Sequence, residues 1–364
     1  MTTDTTTTPA RAVTQDSIGA RFRIAAAGIA LVAGTLLMSQ SDAPLTEAAG
    51  IVTRYGTAIS VIVVVFLLVQ FVWVGIRQVF WVRFRQKPHQ GADRSTAWYQ
   101  AFFAGGRWGD VVVALAALAV TVSSFTVYKS TVVGSQGYRF DGLLIAWDRA
   151  LFAGNDPWVL SHAILSSPYA TKVIDTLYHP AFLPMVLGYV FCVAARARPA
   201  LRYTYMVSYL ASFVIIGMIA ANALSSAGPV YDGVLFGDGT TFQPLIDRLA
   251  AQNETAGPFS AVFAQGYLLA LNERGAIGMG GGISAMPSMH IVLAFLWAIP
   301  AWHLSRVLGV IVTIYALIIW VGSVHLGWHY FVDGLVGVLM LAVIWYVAGR
   351  SFGLYGRALR QDPR

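Results

Sequence analysis

The chain has 364 residues, of which 57% are apolar and only 11% charged, with a positive mean hydropathy of +0.64. Soluble domains carry nearer a quarter charged residues, so an ordinary water-soluble fold is excluded and a polytopic membrane protein is implied. The net charge of +7 comes from Lys and Arg scattered between long apolar runs, with no tract able to follow a phosphate backbone, so no nucleic-acid partner is expected.

In chain order, the opening MTTDTTTTPARAVTQ is Thr-rich and lacks a core-forming pattern, so residues 1–20 are expected to form an unstructured tail. Crossing a hydrocarbon core takes about 20 mostly apolar residues. Eight segments meet that measure, at roughly 22–38, 57–80, 110–133, 173–195, 205–227, 285–304, 307–325 and 331–350. Arg21 and Arg23 precede the first, as in a signal sequence, but the polar leader is long and no A-x-A site follows, so a retained span is expected. Cys192, the one cysteine, lies in the apolar run LGYVFCVAA, which leaves no intramolecular disulfide and no thiolate metal cluster.

Between the spans, LLIAWDRALFAGNDPWVL (143–160) has apolar residues at helical spacing and reads as one or two helices lying in the outer leaflet. Residues 228–284 hold LIDRLAAQNE and FSAVFAQGYLLAL, two short helices by pattern, followed by the glycine-rich GMGGGIS. No Walker lysine follows those glycines, so they read as a flexible entry to the next span, not a nucleotide loop.

Lys and Arg set the expected orientation. Alternating sides along the chain puts 17 of the 24 basic residues on the side that holds both termini. The positive-inside rule makes that side cytoplasmic, leaving 134–172, 228–284 and the 325–331 junction outside.

Three polar clusters therefore meet at the outer boundary: GPVY (228–231), PSMH (287–290) and HLGWH (325–329). If the chain from His325 onward is helical, His325, His329 and Asp333 recur at i, i+4 and i+8 on one side. A carboxylate–imidazole bond between Asp333 and His329 fixes the tautomer and presents the opposite ring nitrogen as nucleophile or base. His290, facing it across a helix pair, is then placed to act as general acid. Ionisable groups within membrane spans are functional by default, which favours this reading over satisfied core histidines. Tyr178 and His179, in IDTLYHPAF, read either as a helix-lining pair or as a wall of the same pocket. His89, His162 and His303 are assigned to solvated or interfacial packing. The HxxxH spacing also fits zinc with Asp333 as third ligand, but no Glu follows His325 as a zincin-type base and PSMH is left unexplained. No metal and no cofactor is therefore expected.

PSMH followed by HxxxHYxxD resembles the second and third signature motifs of the type 2 phosphatidic acid phosphatase (PAP2) superfamily, and within it the branch containing inositol phosphorylceramide synthase. WDRALFAGNDPW (147–158) and IDTLYHPAF resemble the upstream half of bacterial members of that branch. The likeness covers about residues 110–350. It implies an all-α integral membrane protein with a six-helix PAP2-like core at 107–352, two extra N-terminal helices with a basic loop at 21–106, and a cytoplasmic tail at 353–364. It implies that His329 attacks phosphorus, that Asp333 orients it, that His290 protonates the leaving oxygen, and that Ser288 donates a hydrogen bond to the phosphate.

Two motif features are missing. The usual Arg of the third motif aligns with Ser323, and the first motif is reduced to SSAGPVY at 225–231 without a cation. Phosphate binding normally uses Arg or Lys, so cationic help is expected from protonated His325, Lys129, Arg274 or backbone N–H groups after Ser288. The expected activity is a phosphatase or phosphotransferase on a lipid phosphate or phospholipid at the outer face of a bacterial inner membrane, with water or a polyol such as inositol as acceptor. Alternatives are a head-group translocase without bond cleavage and a metal-dependent membrane hydrolase.

Overall fold

A computed structural model describes residues 9–40, 43–85, 107–133, 135, 137–181, 198–237 and 241–355. Among the described residues there is no strand, and the chain is an all-α integral membrane protein. The N-terminal half contains α1 (Pro9–Gln40), α2 (Leu45–Arg85) and α3 (Arg107–Tyr128), which runs on into a π-helical turn, Lys129–Val133. Three short helices follow: α4 (Asp141–Leu151), α5 (Pro157–Ile164) and α6 (Pro168–Tyr178). Then come α7 (Pro199–Ser212), prolonged by the π-helical Phe213–Ala220 and by Ala221–Ala223, and α8 (Asp232–Phe236). Two surface helices, α9 (Gln243–Ala256) and α10 (Ser260–Glu273), lead to the final trio α11 (Met289–Leu304), α12 (Arg306–His325) and α13 (Phe331–Ser351).

Among the described residues, six helical segments are long and apolar enough to cross a membrane: Ser17–Gln40, Leu45–Val65, Gly109–Val133, Pro199–Ala223, Arg306–His325 and Phe331–Ser351. Helix α11 is apolar but has only 16 residues. Of the expected fourth span, 173–195, only the beginning is seen, at the end of α6; residues 182–195, including Cys192, lie outside the described residues, as does His89.

Several boundaries differ from the sequence reading for local reasons. Helix α1 starts at Pro9, inside the expected tail, because proline at a first helical position loses only an N–H that would be unpaired anyway. The span expected from 285 starts at Met289, since Pro287 cannot donate and Ser288 caps the helix instead, its Oγ accepting from Ile291 N at 3.4 Å. The span expected to end at 227 stops at Ala223.

At one end, Asp110 of α3 pairs with Arg23 of α1 at 2.9 Å, lies 3.7 Å from Arg202 of α7, and accepts a hydrogen bond from Tyr203, whose ring packs on Phe22 and Phe352. At the opposite end lie the start of α11, the end of α12 and the start of α13. Helix α13 approaches α11 closely because Gly337 stands where a Cβ would come within 2.8 Å of Val292 and 3.5 Å of the Ser288 carbonyl. That approach puts Ser288 N–H 3.4 Å from the Asp333 carbonyl and the His290 ring 6.4 Å from that of His329.

Three buried aspartates hold the short helices onto this end. Asp141 of α4 accepts from Ala227 N, Gly228 N and Tyr330 Oη at about 3 Å. Asp175 of α6 accepts from Ser260 N at 2.8 Å and Ala261 N at 2.7 Å. Asp148 of α4 accepts from Phe331 N at 2.7 Å and Val332 N at 3.0 Å, capping α13 from outside its own segment. Its burial pushes the carboxyl up to about 6. Gly228 sits at φ +98°, and a Cβ there would lie 2.6 Å from the Trp328 carbonyl, so only glycine fits beneath this turn. Asp148→Ala is expected to strip two buried N–H groups of their acceptor and lower stability by about 2 kcal/mol. Thermal unfolding in detergent, with Asp148→Asn as the milder companion, checks it.

Candidate active site

His290 follows the Ser288 cap in the first turn of α11. His329 lies in the 326–330 turn, and Asp333 lies in the first turn of α13. The His290 and His329 ring centroids are 6.4 Å apart with planes tilted by 58°. His329 Nδ1 faces Asp333 Oδ2 at 3.3 Å, and the same carboxylate oxygen accepts from Tyr330 N at 2.9 Å. With Nδ1 turned to the carboxylate, Nε2 is the nitrogen left for chemistry. Asp333 is fully buried and His329 is 6% exposed. Ser288 is fully buried, its Oγ engaged with its own helix and its N–H 3.4 Å from the Asp333 carbonyl, so it ties α11 to α13.

The sequence reading of a continuous helix through His325, His329 and Asp333 is corrected. Helix α12 ends at His325, the chain turns through Gly327 at φ +76°, and α13 begins at Phe331. His325 therefore leaves the group. It is fully buried, its Nδ1 faces Ser161 Oγ at 3.1 Å, and its Nε2 faces Thr171 Oγ1 at 2.9 Å. With both ring nitrogens engaged, it is not presented to a phosphate beside His329. Its ring stacks on His162 at 3.7 Å, and His162 Nε2 donates to the His325 carbonyl at 2.8 Å. His162, expected at an interface, is 1% exposed and serves this buried joint between α5 and α12.

The joint has a pH signature. Burial, aided by the Arg248 guanidinium, holds the His162 imidazole down at about 4, against 6.5 for the free side chain. The unfolded chain takes up that proton between pH 6.5 and 4 while the folded protein does not, so the stability His162 contributes is lost as pH falls through this window. The raised Asp148 carboxyl acts in the opposite direction, so the effect is read as a difference. The stability gap between wild type and His162→Gln is expected to shrink by roughly 3 kcal/mol from pH 7 to pH 4. A constant gap in detergent unfolding measurements would remove His162 as the titrating group.

Residues from α6 complete the surroundings. Tyr178 stacks on His290 with centroids 4.8 Å apart, and His179 packs against Tyr178 at 4.7 Å and Trp328 at 5.4 Å. His179 Nδ1 lies 3.4 Å from Asp175 Oδ1. Tyr178 Oη, Trp328 Nε1 and Asp333 Oδ1 are buried with no hydrogen-bond partner among the described residues. His290 is in electrostatic reach of His329, His179 and Lys129. Lys129 opens the π-helical turn of α3, a device that redirects side chains at functional sites, and its Nζ stands 5.4 Å over the Phe125 ring. Tyr178 and His179, read from the sequence either as a helix-lining pair or as a pocket wall, pack on His290 and Trp328. The D-x-x-x-H spacing of Asp175 and His179 was available in the sequence as the mirror image of His329 and Asp333.

A larger groove of about 500 Å³ lies elsewhere, between α1, α7 and α13, but apart from Arg21 and Ser351 its lining is apolar, with residues such as Val207, Ile215, Met340 and Val343. It offers no group that can do acid–base or nucleophilic work.

In comparison with known proteins, the family model described as PAP2 superfamily matches residues 142–347, a stretch that includes Asp148, Asp175, His179, His290, His329 and Asp333. No curated protein and no solved structure matches the chain.

Proposed function

The chain belongs to the PAP2 superfamily, and on that premise we propose that it moves a phosphoryl group through a phosphohistidine on His329. Superfamily membership makes it an enzyme of the phosphatase or phosphotransferase kind, acting on phosphate esters in a membrane setting. The observation that carries the finer reading is the facing pair of imidazoles, 6.4 Å between centroids, with a buried carboxylate on one of them. In-line displacement places nucleophile, phosphorus and leaving oxygen in one row, and two groups about 6–7 Å apart bracket such a row.

In the first step His329 Nε2 attacks phosphorus, the bond from phosphorus to the leaving oxygen breaks, and His290 gives its proton to the departing alkoxide. Asp333 stabilises the imidazolium character that develops on His329. In the second step His290, now neutral, takes a proton from the acceptor hydroxyl, whose oxygen attacks phosphorus as the P–N bond breaks and His329 is restored. Water as acceptor gives hydrolysis; an inositol or another polyol gives transfer. Lys129 is the cation that supports charge near His290. A phosphodiester, with one negative charge, suits a site lacking the two motif cations, which favours a phospholipid donor and head-group transfer of the inositol phosphorylceramide synthase type.

The basic end of the bundle, with Arg23 and Arg202, is on the cytoplasmic side by the positive-inside rule, and the His290–His329 end then faces outside. The test is to incubate the purified protein in lipid nanodiscs with a panel of lipid phosphates and phosphodiesters, with and without inositol, and to look for acid-labile phosphate on His329. Turnover with no phosphorylated histidine would overturn the covalent route. Head-group binding with no turnover on any donor would support the translocase instead.

A further inference from the structure

The cations of the first and third motifs are absent from the sequence. A second carboxylate–imidazole pair, Asp175 with His179, shares the spacing of Asp333 with His329, as an ion-pair contact in which His179 Nδ1 does not complete a hydrogen bond. In each pair the two residues are four apart, the nitrogen facing the acid is Nδ1, and the separation is 3.4 Å in one and 3.3 Å in the other. In each the acid is fully buried and fixed by main-chain N–H groups: Tyr330 N for Asp333, and Ser260 N with Ala261 N for Asp175. The His179 ring is locked between Tyr178, which stacks on His290, and Trp328, the neighbour of His329 in the chain.

With Nδ1 turned to Asp175, the free nitrogen of His179 is Nε2 on the opposite edge of the ring, and 18% of the side chain stays accessible. A ring that carries hydrogen on both nitrogens can serve an anion at the Nε2 edge while Asp175 faces the other N–H. The groups around His179 are Asp175, itself 3.8 Å from Lys172, the Tyr178 ring, Trp328, and His290 from α11.

We propose that His179, held by Asp175, is a phosphate-binding residue of this site that donates from Nε2 to a non-bridging phosphoryl oxygen, in the place left by the missing motif arginine. This rests on the phosphoryl-transfer reading given above. Because such a contact is made in the bound substrate and retained in the transition state, its loss falls mainly on KM.

The experiment uses the full chain in detergent with bis(p-nitrophenyl) phosphate as substrate and orthovanadate as inhibitor, comparing wild type with His179→Ala, His179→Gln and His179→Arg. His179→Ala is expected to raise KM and the vanadate inhibition constant about 10- to 100-fold, the range for one charge-assisted hydrogen bond, with a much smaller change in kcat. His179→Arg is expected to restore vanadate binding. His179→Gln, which keeps a donor without charge, is expected to fall between them. An unchanged KM and inhibition constant in His179→Ala, with wild-type turnover normal, overturns this inference alone. A loss of kcat that arginine does not repair makes His179 a packing residue and also overturns it. A wild type that neither turns over nor binds vanadate overturns this and the phosphoryl-transfer reading together.

Discussion

His329→Ala is expected to lower turnover by at least about four orders of magnitude and to abolish the phosphorylated intermediate, while leaving substrate binding within about tenfold of wild type. The imidazole is the group whose Nε2 makes and breaks the bond to phosphorus, and a methyl group in its place offers no nucleophile. Its surroundings survive the change: Asp333 keeps the Tyr330 N–H, and Tyr330 keeps its hydrogen bond to Asp141. Unfolding temperature is therefore expected to move far less than activity does. Asp333→Asn is the graded companion, because it retains a hydrogen-bonding oxygen while withdrawing the charge that stabilises the imidazolium. The measurement is single-turnover kinetics with radiolabelled substrate, following label on the protein. If His329→Ala retained more than about one per cent of turnover, another nucleophile would have to be sought.

His290→Gln is expected to separate good leaving groups from poor ones. A lipid alkoxide departs only when protonated, so removing the proton donor is expected to slow phosphoenzyme formation by about 10²- to 10⁴-fold. A p-nitrophenolate departs without that help, and its release is expected to slow less than about tenfold. Centroid distances of 4.8 Å to Tyr178 and 6.4 Å to His329 put His290 in the middle of the cluster, so a merely structural role would depress both substrates alike. Burst kinetics with the two ester classes, measured side by side in the same variant, give the ratio directly.

Much of the fold was legible in the chain because apolar runs of membrane length leave few alternatives. Seven of the eight expected spans coincide with described helices, displaced at their ends where a proline or a cap decides the boundary, as at Pro9 and Ser288. The eighth runs mostly outside the described residues. The pairing of His329 with Asp333 was readable from a four-residue spacing, and His290 from its place at the start of an apolar run. What spacing does not convey is where a helix stops. His325 has the right period to share a face with His329, but the helix ends there and sends it to Ser161 and Thr171 instead. Nor does spacing convey contacts across 80 residues or more, such as Asp141 beneath Gly228 or Asp175 beneath Ser260. These acids sit in stretches that read simply as amphipathic surface or apolar span, and their partners are backbone amides, which every sequence has everywhere.

The three aspartates that secure the short helices have a consequence for how the molecule meets changing surroundings. Their oxygens are satisfied mainly by peptide N–H groups inside the same buried pockets, so mobile ions cannot reach between the partners. An exposed pair such as Arg149 with Asp156 weakens as electrolyte is added, but a carboxylate clasped by amides does not. A brine that blunts the attraction of an anionic lipid for the mouth of the protein therefore leaves the arrangement around His329 as it was.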